Sequence, residues 1–130
     1  MTNSLLITKY IRTILSHDSN LMKKIPINQL YPVAAKTGTL FPYSVIIRTG
    51  MVNNQSKDGI YEDIVTVSII VVDDNYYGSI DIANEIRNWL EGHSYKDETI
   101  NITQMKLSST SEGYYNDAFV QELIFSININ

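Results

Sequence analysis

Along residues 63–72, apolar β-branched side chains return at every second position, as Val65, Val67, Ile69 and Val71. A period of two puts them on one face of a strand, and branching at Cβ suits the pleated backbone. The intervening Ile64, Thr66, Ser68, Ile70 and Val72 are mixed, which predicts a second face that is half open or meets a neighbouring subunit. Asp73, Asp74 and Asn75 end the strand, and Tyr76-Tyr77-Gly78 is expected to form the turn. The period then changes. Ile82, Ala83, Ile86, Trp89 and Leu90 fall on one stripe of a helix, with Asp81, Glu85, Arg87, Asn88 and Glu91 around the rest. Ser79 is placed to cap this helix, and Gly92 to end it in the left-handed conformation.

The flanking segments carry the same two periods. Ile7, Tyr10, Ile11, Ile14 and Leu15 predict an N-terminal helix, capped by Asn3 or Ser4. Asp18 or Ser19 can cap a short helical piece over 21–24, which must end before Pro26. Leu30-Tyr31-Pro32-Val33 is a short extended piece at an edge, and residues 34–40 form a loop. A strand is expected over 42–49, followed by a polar loop over 50–59. In the strand over 99–107, Ile100 and Ile102 are out of phase with Met105 and Leu107, which calls for a bulge. Residues 108–113 are expected to connect it to a last strand over 119–129. There Phe119, Leu123, Phe125, Ile127 and Ile129 share a face. The order helix, strands, helix, strands predicts an α+β fold. A mostly antiparallel β-sheet packs against the N-terminal helix and a central amphipathic helix.

Size and composition change this picture little. At 130 residues, 44% of them apolar and 18% charged, the chain is expected to form a single domain over 1–130 with a core that needs no staple. It has no cysteine, which removes disulfides, thiolate metal sites and thiol nucleophiles. The net charge of −4, with basic residues scattered, disfavours a nucleic-acid grip. The N-terminal segment lacks a signal-peptide pattern and no stretch has the length of a membrane span, so a soluble protein without a membrane partner is expected.

Candidate chemistry is thin. Lys36-Thr37-Gly38 lacks the glycines of a phosphate loop, because Ala35 and Leu30 occupy those positions. It also lacks the Ser-x-x-Lys partner of penicillin-binding enzymes. His17 and His93 each follow a helix with no second ligand at metal spacing. Asp73, Asp74 and Asp81 could hold a divalent cation or act as acid and base. Strand termination and helix-dipole complementation already account for all three. No catalytic, cofactor-binding or metal residue is therefore assigned, and an enzyme is not expected. The tyrosine pairs Tyr76-Tyr77 and Tyr114-Tyr115 say more. They sit at expected turns, with one member of each pair expected to be exposed, and either roof the core or supply contact area to a partner.

Three stretches carry a resemblance: Leu30-Tyr31-Pro32-Val33, the strand entry Phe41-Pro42-Tyr43-Ser44-Val45-Ile46, and the Ile82-Ala83, Ile86, Trp89-Leu90 helix. In this order, from about residue 5 to residue 129, the chain resembles the tail terminators, tail-completion proteins of long-tailed bacteriophages and prophages. The resemblance implies a structural protein without catalysis. Its members form rings, commonly hexamers, that cap the tail tube and form the surface on which the head docks. Implied partners are further copies of the chain, the tail tube protein and a head-tail connector protein. The implied location is the virion tail, assembled in the bacterial host cytoplasm. Candidate interface residues are Asn53, Asn54, Gln55 and Lys57 in the polar segment and Tyr76, Tyr77, Tyr114 and Tyr115, together with the mixed face of the 63–72 strand. The alternative is a small-ligand-binding or regulatory α+β domain without catalysis, with its pocket between sheet and helix.

Overall fold

The computed structural model describes residues 3–55, 59 and 61–130. Its helices are α1 (Ile7–Ser16), α2 (Ser19–Lys24) and α3 (Tyr76–Leu90), with 3₁₀ turns at Ser4–Leu6 and Ile27–Gln29. Its strands are β1 (Leu30–Pro32), β2 (Tyr43–Gln55), β3 (Tyr61–Asp73), β4 (Tyr95–Lys96), β5 (Asn101–Tyr115) and β6 (Ala118–Ile129). They form one sheet in the order β1-β2-β3-β6-β5-β4, antiparallel except for the parallel pair β1–β2. The α+β expectation holds.

The period-two pattern of β3 decides which face is covered. Val65, Val67, Ile69 and Val71 are fully buried and pack with Ile7, Ile11, Ile14 and Leu15 of α1 and Ile82, Ile86 and Leu90 of α3. Leu123, Phe125, Ile127 and Ile129 of β6 complete this layer. Burying so many aliphatic side chains, each worth roughly 1.5–3 kcal/mol, is the main force holding helices to sheet. Trp89 adds a polar tie, because its indole N–H donates at 2.9 Å to the Ile14 carbonyl, which also accepts the His17 amide in the last turn of α1. Asp18 caps α2 as expected, accepting from the Asn20 and Leu21 amides. Gly92 takes φ +77° after α3, also as expected.

Several expectations fail, each for a local reason. Helix α3 begins at Tyr76, not Ser79, and its cap is Asn75, whose side chain accepts the Gly78 amide at 2.8 Å. Gly78 is not a turn residue. It sits in the first turn, where a Cβ would lie 2.4 Å from an Asp73 carboxylate oxygen and would push that carboxylate aside. Ser79 is buried and donates back to the Tyr76 carbonyl. Neither Asn3 nor Ser4 caps the N-terminal helix with its side chain. Asn3 donates to the Thr99 carbonyl and Ser4 to the Asp63 carboxylate, so tertiary contacts claim both.

The polar 50–59 segment is not a loop as far as Gln55. It continues β2, with Asn53, Asn54 and Gln55 opposite Asp63, Glu62 and Tyr61. Likewise 108–113 is no connector, since β5 runs on to Tyr115. The actual turn is Asn116-Asp117, both at positive φ (51° and 61°), which suits a two-residue hairpin whose twist matches the strands. Serine, threonine and asparagine form strands here because main-chain pairing needs no apolar side chain where both faces are wet. The phase change in β5 is a bulge as expected, between Ile102 and Gln104, and a second lies between Leu107 and Ser109. The two-residue β4 has too little pattern to be legible in the sequence.

Candidate assembly surface

No helix covers the other face of the sheet among the described residues, though this bare face is buried at Ser68 and, beside the 35–41 loop, at Val72 and Ala118. Val45 and Ile47 of β2, Ile64 and Ile70 of β3, and Val120 and Ile124 of β6 stand half-exposed on it. The register sets Val45 opposite Ile70 and Ile124 opposite Ser68. Glu122 lies among them and accepts from Ser68 at 2.7 Å and from Ser111 at 3.4 Å. The mixed side of the 63–72 strand is thus an apolar-rich patch with internally bonded polar groups. At the end where β2 begins, the 35–41 loop together with Tyr115 and Asn116 at the β5–β6 hairpin end enclose a groove of about 760 Å³ floored by Tyr43, Val72, Ala118 and Val120. This groove is on the bare face, not between sheet and helix, where the ligand-domain reading puts a pocket. Sequence reasoning missed the loop's Leu40 and Phe41, which are exposed. Their adjacency inside a polar-flanked loop was the available signal.

The named interface candidates do not form one site. Asn53 donates to Asp63 at 2.7 Å and Gln55 to the Tyr61 hydroxyl at 3.1 Å, so both side chains bind within their own hairpin. Asn54 is exposed opposite Glu62, and Lys57 lies outside the described residues. All four tyrosines are exposed, not one of each pair, yet they divide by role. Tyr76 and Tyr114 both pack on Phe119, with ring centroids 5.4 and 4.9 Å away, and close the end of the β5–β6 hairpin over α3. The Tyr76 hydroxyl also donates to Glu112 at 3.2 Å, a carboxylate that Gln121 holds from the other side at 3.1 Å, and that hydrogen bond raises the Tyr76 pKa. Tyr77 and Tyr115 point outward, at 78% and 66% exposure, and Tyr115 lines the groove.

The acids likewise have structural partners. Asp73 is buried, and that burial, followed by its hydrogen bond with Asp74, raises its pKa. Asp81 is not in the first turn of α3 and instead pairs with Lys24 at 3.8 Å. His17 is exposed, and His93 stacks near Trp89 with centroids 5.9 Å apart. Among the described residues no three His, Cys, Asp or Glu side chains gather as a metal site.

One carboxyl pair couples α2 to α3. Glu85 hydrogen-bonds with Asp18, and this raises the Glu85 pKa above 4.5, with burial and the Asp18 and Asp81 charges adding and Lys24 opposing. Asp18 is buried and its second oxygen has no ordinary donor, which is what a shared proton would supply. A raised carboxyl pKa favours the fold at low pH, and that favour is lost as pH rises through the raised value. Glu85→Gln, which supplies a permanent N–H to Asp18, is therefore expected to raise Tm at pH 7. Its advantage should shrink to nothing by about pH 4, where Glu85 is itself protonated. Thermal unfolding across that range checks it, and a gap independent of pH would show that the pair carries no shared proton.

No protein-family model matches this chain, and no curated protein matches it. Among solved structures it is similar to a chain of the virion of a native gene transfer agent (GTA) particle, with a TM-score of 0.81 and 15% identity. The likeness covers 95% of this chain and 93% of that one, so the two share a fold from end to end.

Proposed function

We propose that this chain is a structural, non-catalytic protein of a phage-like particle, and within that class a tail-completion protein. In this reading copies close into a ring that caps the tail tube and forms the head-docking surface. Its partners are its own copies, the tube protein and a head-tail connector protein, and it resides in the virion tail after assembly in the bacterial cytoplasm. The observation that carries the reading is the end-to-end fold likeness to a chain of the gene transfer agent virion. It agrees with the resemblance of the Tyr-Pro segment, the Pro-Tyr strand entry and the α3 stripe to tail terminators. The bare apolar-rich face and outward Tyr77 and Tyr115 suit protein contacts, and a net charge of −4 suits a lumen that DNA must pass without being gripped.

The test is native mass by light scattering over a concentration series, with negative-stain images and a binding assay on purified tail tubes. A closed ring of about six copies with a central hole, seated at tube ends, is the expected result. A monomer at every concentration that also fails to bind tubes overturns the reading in favour of a ligand-binding domain.

A further inference from the structure

Both sides of the sheet are left partly open. Strand β1 pairs only with Ser44, Val45 and Ile46 of β2, so residues 47–55 pair with β3 alone. Strand β4 pairs only with Asn101 and Ile102 of β5, and the Gly92 amide takes the Met105 carbonyl. Beyond that point residues 106–115 pair with β6 alone. Among the described residues no main-chain hydrogen bond reaches the outer side of either stretch. Each edge therefore presents a row of unpaired N–H and C=O groups, the usual template for adding a strand. Exposed apolar side chains gather on the same two strands, Met51 and Val52 on β2 and Tyr114 and Tyr115 on β5.

The two edges are suited to each other. In the sheet order β2-β3-β6-β5 every neighbour is antiparallel, so β5 runs opposite to β2. A second copy in the same orientation thus brings its β2 antiparallel to β5 of the first. The contact joins different surfaces head to tail, the kind that closes into a ring. The open stretches also lie at opposite ends of the sheet. Through the register, Met51 is level with Val65, Ile127 and Met105, whereas the middle of 106–115 is four to five positions further along. Matching the two middles offsets successive copies by about 15 Å at ~3.3 Å per residue. The four strands β2, β3, β6 and β5 span about 19 Å at ~4.8 Å each. That offset over that width tilts the strands by about 40°, inside the roughly 35–45° found when a sheet closes on itself.

We infer that copies of this chain join by β-strand addition, residues 106–115 of one copy pairing antiparallel with residues 47–55 of the next. The contact rests on the ring proposed above and specifies how that ring is made. Because the chain has no cysteine, introduced pairs report it without background. Val52→Cys is combined in turn with Lys106→Cys, Ser109→Cys or Ser111→Cys in the full chain. These positions lie on the bare face at registers two residues apart, and opposed Cβ atoms on antiparallel strands come within disulfide reach. Mild oxidation of the assembled protein should convert the bulk of one double variant, with Ser109→Cys expected, into a ladder of linked copies that ends at the ring. Each single variant should stay unlinked. If the double variants still form rings by light scattering and none of the three pairs links, strand addition is wrong while the ring stands. If the parent chain forms no ring in solution or on tail tubes, ring and contact fall together.

Discussion

Phe125→Ala is expected to lower the unfolding free energy by about 3–5 kcal/mol, the range for emptying an aromatic site in a packed core. Phe125 is the largest side chain with no exposure. It lies in β6 opposite Val67 on one side and Leu107 on the other, in the cluster shared with α1 and α3. Truncation removes apolar area from the layer and leaves a cavity that two-sided strand pairing keeps from collapsing. For a domain this size that is a large part of a total of about 5–15 kcal/mol. Urea unfolding should show a much lower midpoint with an unchanged slope. Phe125→Leu, which refills most of the space, should restore most of the loss. A loss below about 1 kcal/mol for the alanine variant would mean that helices and sheet are not joined through this residue.

Phe125 was legible in the sequence because its environment is periodic. It belongs to the alternation Leu123, Phe125, Ile127, Ile129, and the matching alternation in β3 and the stripe in α3 gave the layer, its covered face and the α+β class. The lengths of β2 and β5 were not legible. Apart from Met51, Val52, Tyr114 and Tyr115, residues 50–55 and 108–115 are small or polar, and what makes them strands is main-chain pairing with partner strands, which leaves no alternating hydrophobic trace. The start of α3 at Tyr76 is hidden for a similar reason. Gly78 suggests a turn until the Asp73 side chain beside it is known. Among the candidate contacts, exposure of Tyr77 and Tyr115 was foreseeable from adjacency. The use of Tyr76 and Tyr114 against Phe119 depends on the β5–β6 hairpin, whose Asn116-Asp117 turn has no apolar pattern to mark it. The open edges follow from strand extents and order, so no residue pattern announces them.

Asp63→Ala is the substitution in which a polar residue should cost as much as a core one. In the period-two reading Asp63 begins the alternation that continues as Val65 and Val67, and it points to the same buried side. A carboxylate there is tolerable only with donors around it. Ser4 donates to one oxygen at 2.5 Å and Asn53, directly across the β2–β3 ladder, to the other at 2.7 Å. The residue thus fastens the N-terminal 3₁₀ turn to the sheet and fixes the β2–β3 pairing near its far end. Removing it leaves the Ser4 hydroxyl, itself buried, without its acceptor. Hydrogen bonds to a charged group contribute about 1.5–3 kcal/mol each, so with two of them a total loss of about 3–6 kcal/mol is expected. Asp63→Asn keeps one acceptor and should lose less. The diagnostic is the cycle with Ser4→Ala, because once Asp63 is gone the serine hydroxyl has nothing left to lose. Ser4→Ala should then be nearly neutral in the Asp63→Ala background, giving a coupling of about 1 kcal/mol or more. Additive losses in urea unfolding would place the value of Asp63 elsewhere than in its grip on the N-terminus.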